Sequence, residues 1–409
     1  MSRKEDIVCG LDVGCTKICM LISRVREDGR LELMGTGYAE SAGLKRGMVV
    51  DLEEAAASIR KASAEAEAKS GFSVDWVNVG LSGEGVQSFN CHGAITIEGR
   101  NHEVTAEDMV QVIRAAQSIP IPENREIIHV IPQEFFLDNW GDIHNPVGLT
   151  GSRLDVDVHV VTYDSSLLQN LVNAVNRAQM RVGRAILQNL ASAESVLTRE
   201  EREIGVAVVD IGGGTTDIAT FARDSIRFTS VLPVGGRHFT RDLAIGLRTP
   251  AEEAEHIKKE SGTVDLEGIA EDESLLVPGI GSRSARQMPR RLACRILRDR
   301  ASELMELIKG QLTRAAEREQ MLGGVVLTGG GSLLTGLVEL AEQVLEMPVR
   351  PGFPLGVQGL TEELAHPVYA TVVGLAILGS KEGDDPQQYS DKTSRPPGLV
   401  HKVLSWVES

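Results

Sequence analysis

Asp210 stands at the end of an apolar run, Val206–Val209, and is followed by three consecutive glycines, Gly212, Gly213 and Gly214, and two hydroxyls, Thr215 and Thr216. That order suits an oxygen-rich ligand. Glycines let the backbone approach closely and turn successive N–H groups toward phosphate oxygens. A carboxylate at the strand end can hold hydrated Mg²⁺, which takes one or two carboxylates and keeps several waters. A shorter version of the pattern opens the chain: Ile7–Leu11 leads to Asp12, then Gly14, Cys15, Thr16 and Lys17, where the ammonium would meet a terminal phosphate. Further on, Gly324–Thr328 ends in Gly329, Gly330, Gly331 and Ser332, with a helix expected from about Leu333. Free N–H groups at such a turn suit a phosphate or a purine edge. A glycine pair, Gly235 and Gly236, precedes another helix. Glu255 and Lys258, three apart on a third helix, share one face.

The elements that must position these residues follow from the apolar pattern. Each Asp-bearing turn joins two strands, Ile7–Leu11 to Ile18–Ile22 and Val206–Val209 to Ile218–Phe221. Neither is a P-loop, because no G-x-x-x-x-G-K-[ST] occurs and the turns lead into strands. The repeated hairpin predicts two related lobes facing each other across a cleft. Leu52–Lys69 reads as a helix and Val74–Gly80 as a strand. From Ser82 to Val161 the texture changes to short strands around one helix (Ala106–Gln117), punctuated by Pro120, Pro122, Pro132 and Pro146: a small inserted α+β unit. Its histidines, His92, His102, His129, His144 and His159, are too scattered for a metal site. Leu190–Leu197 predicts a small-residue helix behind the cleft, and Thr249–Glu252 a capping box with Pro250 at the first helical position. Arg290–Ala316 reads as a long helix with arginines on a solvated face, and Pro367–Leu378 as an Ala/Gly-rich core helix. Lys381–Pro397 reads as a polar linker.

At 409 residues the chain has room for several cores, and a net charge of −16 argues against nucleic acid as a partner. Five cysteines, mostly in apolar strands, predict reduced core thiols. The polar start, Met1–Asp6, predicts no secretory signal, and no apolar run reaches the ~18–20 residues that span a bilayer. A soluble intracellular protein is expected, unless an end anchors it. The last residues could do so. At about 100° per residue, Leu399, Val400, Val403, Leu404, Trp406 and Val407 fall within an arc of roughly 160°. This predicts an interfacial amphipathic helix, with Trp406 at headgroup level.

Five stretches in order, DVGCTK, LASAESVL, DIGGGTTD, LTGGGS and PVYATVVG, resemble the phosphate-1, connect-1, phosphate-2, adenosine and connect-2 motifs of the actin, Hsp70 and sugar-kinase superfamily. Within it, GLKRGMVVD, VGLSGE, NPVGLTGSRLDVD and a tail helix after a polar linker are similar to the bacterial cell-division FtsA family. The resemblance implies an α/β, actin-like two-lobed ATPase fold with a small α+β subdomain (1C) inserted in the first lobe, and a C-terminal amphipathic helix. The implied division is 1A at 1–81, 162–202 and 356–380, 1C at 82–161, 2A at 203–227 and 303–355, 2B at 228–302, a linker at 381–397 and the helix at 398–409.

The resemblance further implies ATP between the lobes, Mg²⁺ held through water by Asp12 and Asp210, and an adenosine pocket lined by Glu255 and Lys258. By the same analogy such a protein polymerises, binds the C-terminal tail of the tubulin-like GTPase FtsZ through 2B, and engages later division proteins through 1C. It works on the cytoplasmic face of the cell membrane at the septum. Members that hydrolyse ATP well usually carry Gln or Glu at the start of connect-1 to orient water. Here that position is counted to Ala191 or Ser192, with Glu194 one turn on as a substitute, so slow hydrolysis is expected. Rival readings are a scaffold like the pilus-assembly protein PilM and a sugar or acetate kinase. The kinase would need a general base, and no acid outside the two metal positions is identified for one.

Overall fold

The computed structural model describes residues 7–98, 101–281, 283–316 and 320–381. In chain order the first lobe comprises β1 (Ile7–Val13), β2 (Lys17–Val25), β3 (Leu31–Glu40), a tiny hairpin of β4 (Leu44–Lys45) and β5 (Met48–Val49), α1 (Leu52–Ser70) and β6 (Trp76–Leu81). The Asp51 carboxylate caps α1 by accepting from the Glu53 and Glu54 N–H groups. The insert follows: β7 (Val86–Thr96), α2 (Ala106–Ala116), β8 (Arg125–Leu137), β9 (Trp140–Ile143) and β10 (Arg153–Asp164). The chain returns through α3 (Ser165–Arg177), β11 (Arg181–Leu187), α4 (Gln188–Val196) and α5 (Arg199–Ile204). The second lobe contains β12 (Val206–Ile211), β13 (Thr216–Ala222), β14 (Ser225–Leu232), α6 (Gly236–Leu247), α7 (Ala251–Ser261), the hairpin β15 (Ser274–Val277) and β16 (Arg286–Pro289), and α8 (Arg290–Ala316). After it come β17 (Val325–Thr328), a 3₁₀ turn at Gly330–Leu333, α9 (Leu337–Leu345), β18 (Val349–Pro351), β19 (Val357–Gln358), a second 3₁₀ turn at Pro367–Tyr369 and α10 (Ala370–Lys381).

The two main sheets share one plan. The first runs β11-β6-β1-β2-β3-β19 and the second β14-β13-β12-β17-β18. In both, the Asp-bearing strand pairs antiparallel with the next strand and parallel with a later one: β1 with β2 and β6, β12 with β13 and β17. Every residue of β12 is buried, as its unbroken apolar run requires of a central strand. Helices α4 and α10 lie between the sheets. They meet so closely that a Cβ built on Gly374 would sit 1.7 Å from the Ala191 carbonyl oxygen. Only glycine permits that contact.

The insert is a four-stranded sheet, β7-β10-β8-β9, with α2 packed on one face through Met109, Val112 and Ile113. Where short strands are expected, β7 and β8 are long, at 11 and 13 residues. Pro132 lies inside β8, where it has no N–H to give, and the ladder accommodates it with a register shift that passes over Gln133. The bulged Gln133 side chain is buried against the second lobe, where its Nε2 donates to Ile226 O of β14 at 2.6 Å. The expected capping box at α7 does not form. Pro250 occupies the cap position, while the Thr249 N–H closes the end of α6 on Ala244 O. The α8 arginines are not simply solvated either: Arg298 donates to Val264 O, and Arg300 pairs with Asp242 and Glu303. The long helix thereby fastens the outer part of the second lobe.

Candidate functional site

The two Asp-bearing turns face each other across a cleft of about 1130 Å³, at the generous end of the ~300–1,000 Å³ range of ligand pockets. The turns touch: a Cβ on Gly213 would lie 2.4 Å from Thr16 Cγ2, and one on Gly214 would lie 2.7 Å from Cys15 Sγ. Cys15 Sγ accepts from the Gly47 N–H at 3.0 Å, and burial pushes its thiol pKa up. Asp12 is clasped from both sides. Its Oδ2 accepts from Lys17 Nζ at 2.8 Å and its Oδ1 from Gln188 Nε2 at 3.0 Å. Burial works against the charge on Lys17, but the Asp12 carboxylate outweighs it and leaves the pKa above the ordinary lysine value.

Asp210 and Asp217 are held by hydroxyls. Asp210 Oδ2 accepts from Ser192 Oγ (2.5 Å) on α4 and from Thr371 Oγ1 (3.0 Å) on α10. Gly329, at φ +79°, passes so close to Asp210 Oδ1 that a Cβ there would be 2.2 Å away. Asp217 accepts from Ser82 Oγ on both oxygens, at 2.6 and 2.8 Å, and from Thr215 Oγ1 at 3.1 Å. Burial raises the pKa of both acids, that of Asp217 to about 7. The cleft floor thus gathers three carboxylates, of which Asp12 is the one paired with the lysine. Buried negative charge held only by hydroxyls suits a cation, and oxygen donors with room for water are the set that Mg²⁺ takes.

At the other end Lys258 Nζ donates to Glu255 Oε2 (2.6 Å), Thr240 Oγ1 (3.0 Å) and Gly236 O (3.2 Å), and Thr240 also donates to Glu255. Burial lifts the Glu255 carboxyl, but Lys258 and Thr240 overcome it and hold the pKa below the usual range; burial lowers the Lys258 pKa. Gly329, Gly330, Gly331, Leu333 and Thr335 close this end. The glycine turn feeds a single 3₁₀ turn rather than an α-helix, which begins only at Leu337.

Of the residues expected at the site, Asp12, Gly14, Cys15, Thr16, Lys17, Asp210, Gly212, Gly213, Gly214, Thr215, Gly236, Glu255, Lys258, Gly329, Gly330 and Gly331 line the cleft. Four do not. Thr216 is buried and donates to Val234 O, Ser332 donates to Gly329 O, and Gly235 lies against Gly212 O and Thr215. Glu194 is ion-paired with Arg202 (2.8 Å) and Lys381 (2.5 Å), away from the cleft, so it orients no water there. The residue at the start of the helix is Gln188: α4 begins two residues before the predicted small-residue run. The sequence reading also missed Asp217, an acid in the cleft beyond the two metal positions, and the hydroxyls of Ser82, Ser192 and Thr371. The tail residues Leu399, Val400, Val403, Leu404, Trp406 and Val407 lie outside the described residues. Among the described residues no helix is long and apolar enough to cross a membrane.

Comparison with known proteins decides the family. A model described as "Cell division protein FtsA" matches residues 207–374, and one described as "SHS2 domain inserted in FTSA" matches residues 83–162. The cell division protein FtsA of Pseudomonas aeruginosa is 38% identical over 98% of this chain and 97% of its own length. The chain belongs to the FtsA family of cell division proteins. FtsA of Escherichia coli K12 is 35% identical over 98% of this chain and 97% of its own. Among solved structures, a type IV pilus biogenesis complex, PilM-PilN, aligns with TM-score 0.66 at 18% identity, covering 91% of this chain and 98% of the other. MreB5 of Spiroplasma citri bound to ADP aligns at 0.54 and 13%, covering 91% and 95%. These likenesses establish the actin-like fold, and the SHS2 match covers the sheet from β7 to all but the last two residues of β10.

Proposed function

We propose that the chain binds ATP with Mg²⁺ between its lobes and uses the bound nucleotide to assemble with copies of itself at the cytoplasmic face of the cell membrane, at the septum. There it tethers FtsZ and helps recruit later division proteins. The observation that carries the nucleotide reading is the convergence of Asp12, Asp210, Lys17 and two glycine turns from opposite lobes on one cleft. Asp12 and Asp210 would hold the metal through water, Lys17 and the turn N–H groups the phosphates, and Glu255, Lys258 and the Gly329–Gly331 turn the nucleoside. Mg²⁺ would neutralise the phosphate charge when bound. Family membership supports the FtsZ tail as partner for the outer part of the second lobe, and later division proteins for the insert. The one-sided tail helix supports membrane attachment, strengthened when a polymer joins several weak anchors.

Calorimetric titration of the full chain with ATP, with and without Mg²⁺, tests the first step. Binding that depends on Mg²⁺ is expected, and no heat in either titration would sink the nucleotide reading. Liposome co-sedimentation of Trp406→Glu tests the anchor, which fails if the variant sediments like the parent.

Gln188 changes the expectation for hydrolysis. The sequence reading counts the water-orienting position to Ala191 or Ser192, with Glu194 as a substitute; support for Gln188 in that role is its amide at the start of α4, whose Nε2 is engaged by Asp12 with Oε1 left for a water. Gln188→Ala should slow single-turnover hydrolysis by on the order of 100-fold, the scale of misplacing a reacting group, while ATP affinity changes little. An unchanged rate would remove Gln188 from the reaction.

A further inference from the structure

The chain enters the insert at Ser82 and leaves it at Tyr163; the first passage meets a side chain of the opposite lobe, and the second braces the first. Ser82, directly after β6 of the first lobe, donates its hydroxyl to Asp217 of β13 in the second lobe. Tyr163 donates its own hydroxyl to Ser82 O at 3.0 Å. Ser82, Tyr163 and Asp217 are each no more than 5% exposed. The root they form is stiff: Gly85 O accepts from Arg125 Nη2 at 2.7 Å and from the Asp164 N–H at 3.1 Å. Gly83, at φ +89°, leaves no room for a Cβ against Arg46 O.

A second fastening runs along β14, the strand paired with β13. Ser88 Oγ donates to Thr229 O (3.0 Å), Asn90 Nδ2 to Arg227 O (3.2 Å) and Gln133 Nε2 to Ile226 O. Buried His159 bridges Asn90 Oδ1 (2.6 Å) and Thr229 Oγ1 (2.9 Å). Although covalently part of the first lobe, the insert is hydrogen-bonded to the second at its root and across one face of its sheet, from β7, β10 and β8.

We propose that Ser82 positions Asp217 as a latch tying the root of the insert to the phosphate-facing hairpin of the second lobe, so that filling the cleft is felt in the insert. The coupling rests on the reading that the cleft takes Mg·ATP. Thr215 is the link: its hydroxyl shares Asp217 Oδ2 with Ser82, and it lines the cleft in the same turn as Gly212–Gly214. A phosphate seated on that turn moves the acceptor to which Ser82 is bonded. Because β14 is paired with β13, the displacement reaches the insert at both fastenings together.

Hydrogen–deuterium exchange on the full chain tests this. Without nucleotide, Ser82→Ala should exchange about tenfold faster than the parent at residues 82–90 and 160–164, the scale of losing a hydrogen bond to a buried carboxylate. Tyr163→Phe should give a smaller increase at the same residues. With Mg·ATP at saturation, occupancy being checked by calorimetry, the parent should gain protection at these residues and Ser82→Ala should not. Parent-like exchange of both variants without nucleotide overturns the latch, as does a parent-like gain of protection in Ser82→Ala. If Ser82→Ala fails to fold, Tyr163→Phe carries the test. Should calorimetry show no Mg·ATP binding to the parent, the binding reading and the coupling fall together, while exchange without nucleotide still decides whether the root is latched.

Discussion

Replacing Asp210 by asparagine should weaken Mg·ATP binding by at least about 100-fold, while metal-free ATP binding changes little. The substitution preserves volume, and the amide oxygen can still accept from Ser192 and Thr371, so the carboxylate's charge is the quantity removed. Two unit charges 4 Å apart interact by about 4 kcal/mol at an effective dielectric constant of 20. A divalent ion held through water is farther away but doubly charged, so a loss near 3 kcal/mol, about two decades of affinity, is the expected scale. Without metal the variant should melt somewhat higher than the parent, because a buried charge has been taken away. Calorimetry with and without Mg²⁺ and thermal melting in chelator measure both effects. Parent-like Mg·ATP affinity in a folded variant would take Asp210 out of the metal site.

The second large effect is on stability against pH. Asp217 has a pKa of about 7 in the folded chain, against 3.8 unperturbed, with burial as the main cause. Between those values the folded state binds more protons than the unfolded one, so stability falls as pH rises from about 4 to about 7 and then levels off. The full change is on the order of 4 kcal/mol at 1.36 kcal/mol per pKa unit. Asp210, also raised by burial, acts with the same sign. His92, raised chiefly by its hydrogen bond to Asp157, contributes stability that is present below 6.5 and lost as pH climbs through its folded value. Glu255, Glu194 and Glu201 have lowered values and lose their contributions as pH falls through them, in a more acidic window. Urea denaturation in chelator at pH 5, 6, 7 and 8 should therefore show a decline that Asp217→Asn largely flattens. Added Mg²⁺ should stabilise more at pH 8 than at pH 5.5, since a cation then replaces the proton. Stability that rises with pH over this range, or falls equally in Asp217→Asn, would refute the assignment.

The parts legible in the sequence were those written in apolar runs and glycines. The strand–Asp–turn–strand pattern at Asp12 and Asp210 announced both hairpins, and the change of texture after Ser82 announced the insert. Side-chain direction was harder. From Thr215 into β13 it alternates, so Thr215 and Asp217 reach the cleft while Thr216, between them, points away to Val234 O. Two adjacent threonines after three glycines look equivalent until the strand is in place. Gln188 was missed because α4 starts without a cap signal: Leu187 is at its cap position, with no side-chain bond. Ser192 and Thr371 read as small helix residues, and only the meeting of α4 with α10 turns their hydroxyls onto one carboxylate. Glu194 was over-read because one of its two ion-pair partners is distant in sequence. Lys381 lies 187 residues away.

The contact between Ala191 and Gly374 bears on how the lobes can move. With a carbonyl oxygen so close to the glycine Cα, no layer of side chains separates α4 from α10 at the crossing. The contact runs on from there: Ser192 Oγ and Thr371 Oγ1 lie 3.0 Å apart, and Ser195 Oγ donates to Ala370 O at 2.8 Å. Helices joined at backbone distance and then by hydroxyls form one stiff unit. That unit carries Gln188, Ser192 and Thr371, which hold Asp12 and Asp210, so it sets the spacing of the two carboxylates across the cleft floor. Any movement of the lobes that keeps the two helices together leaves the floor as it is.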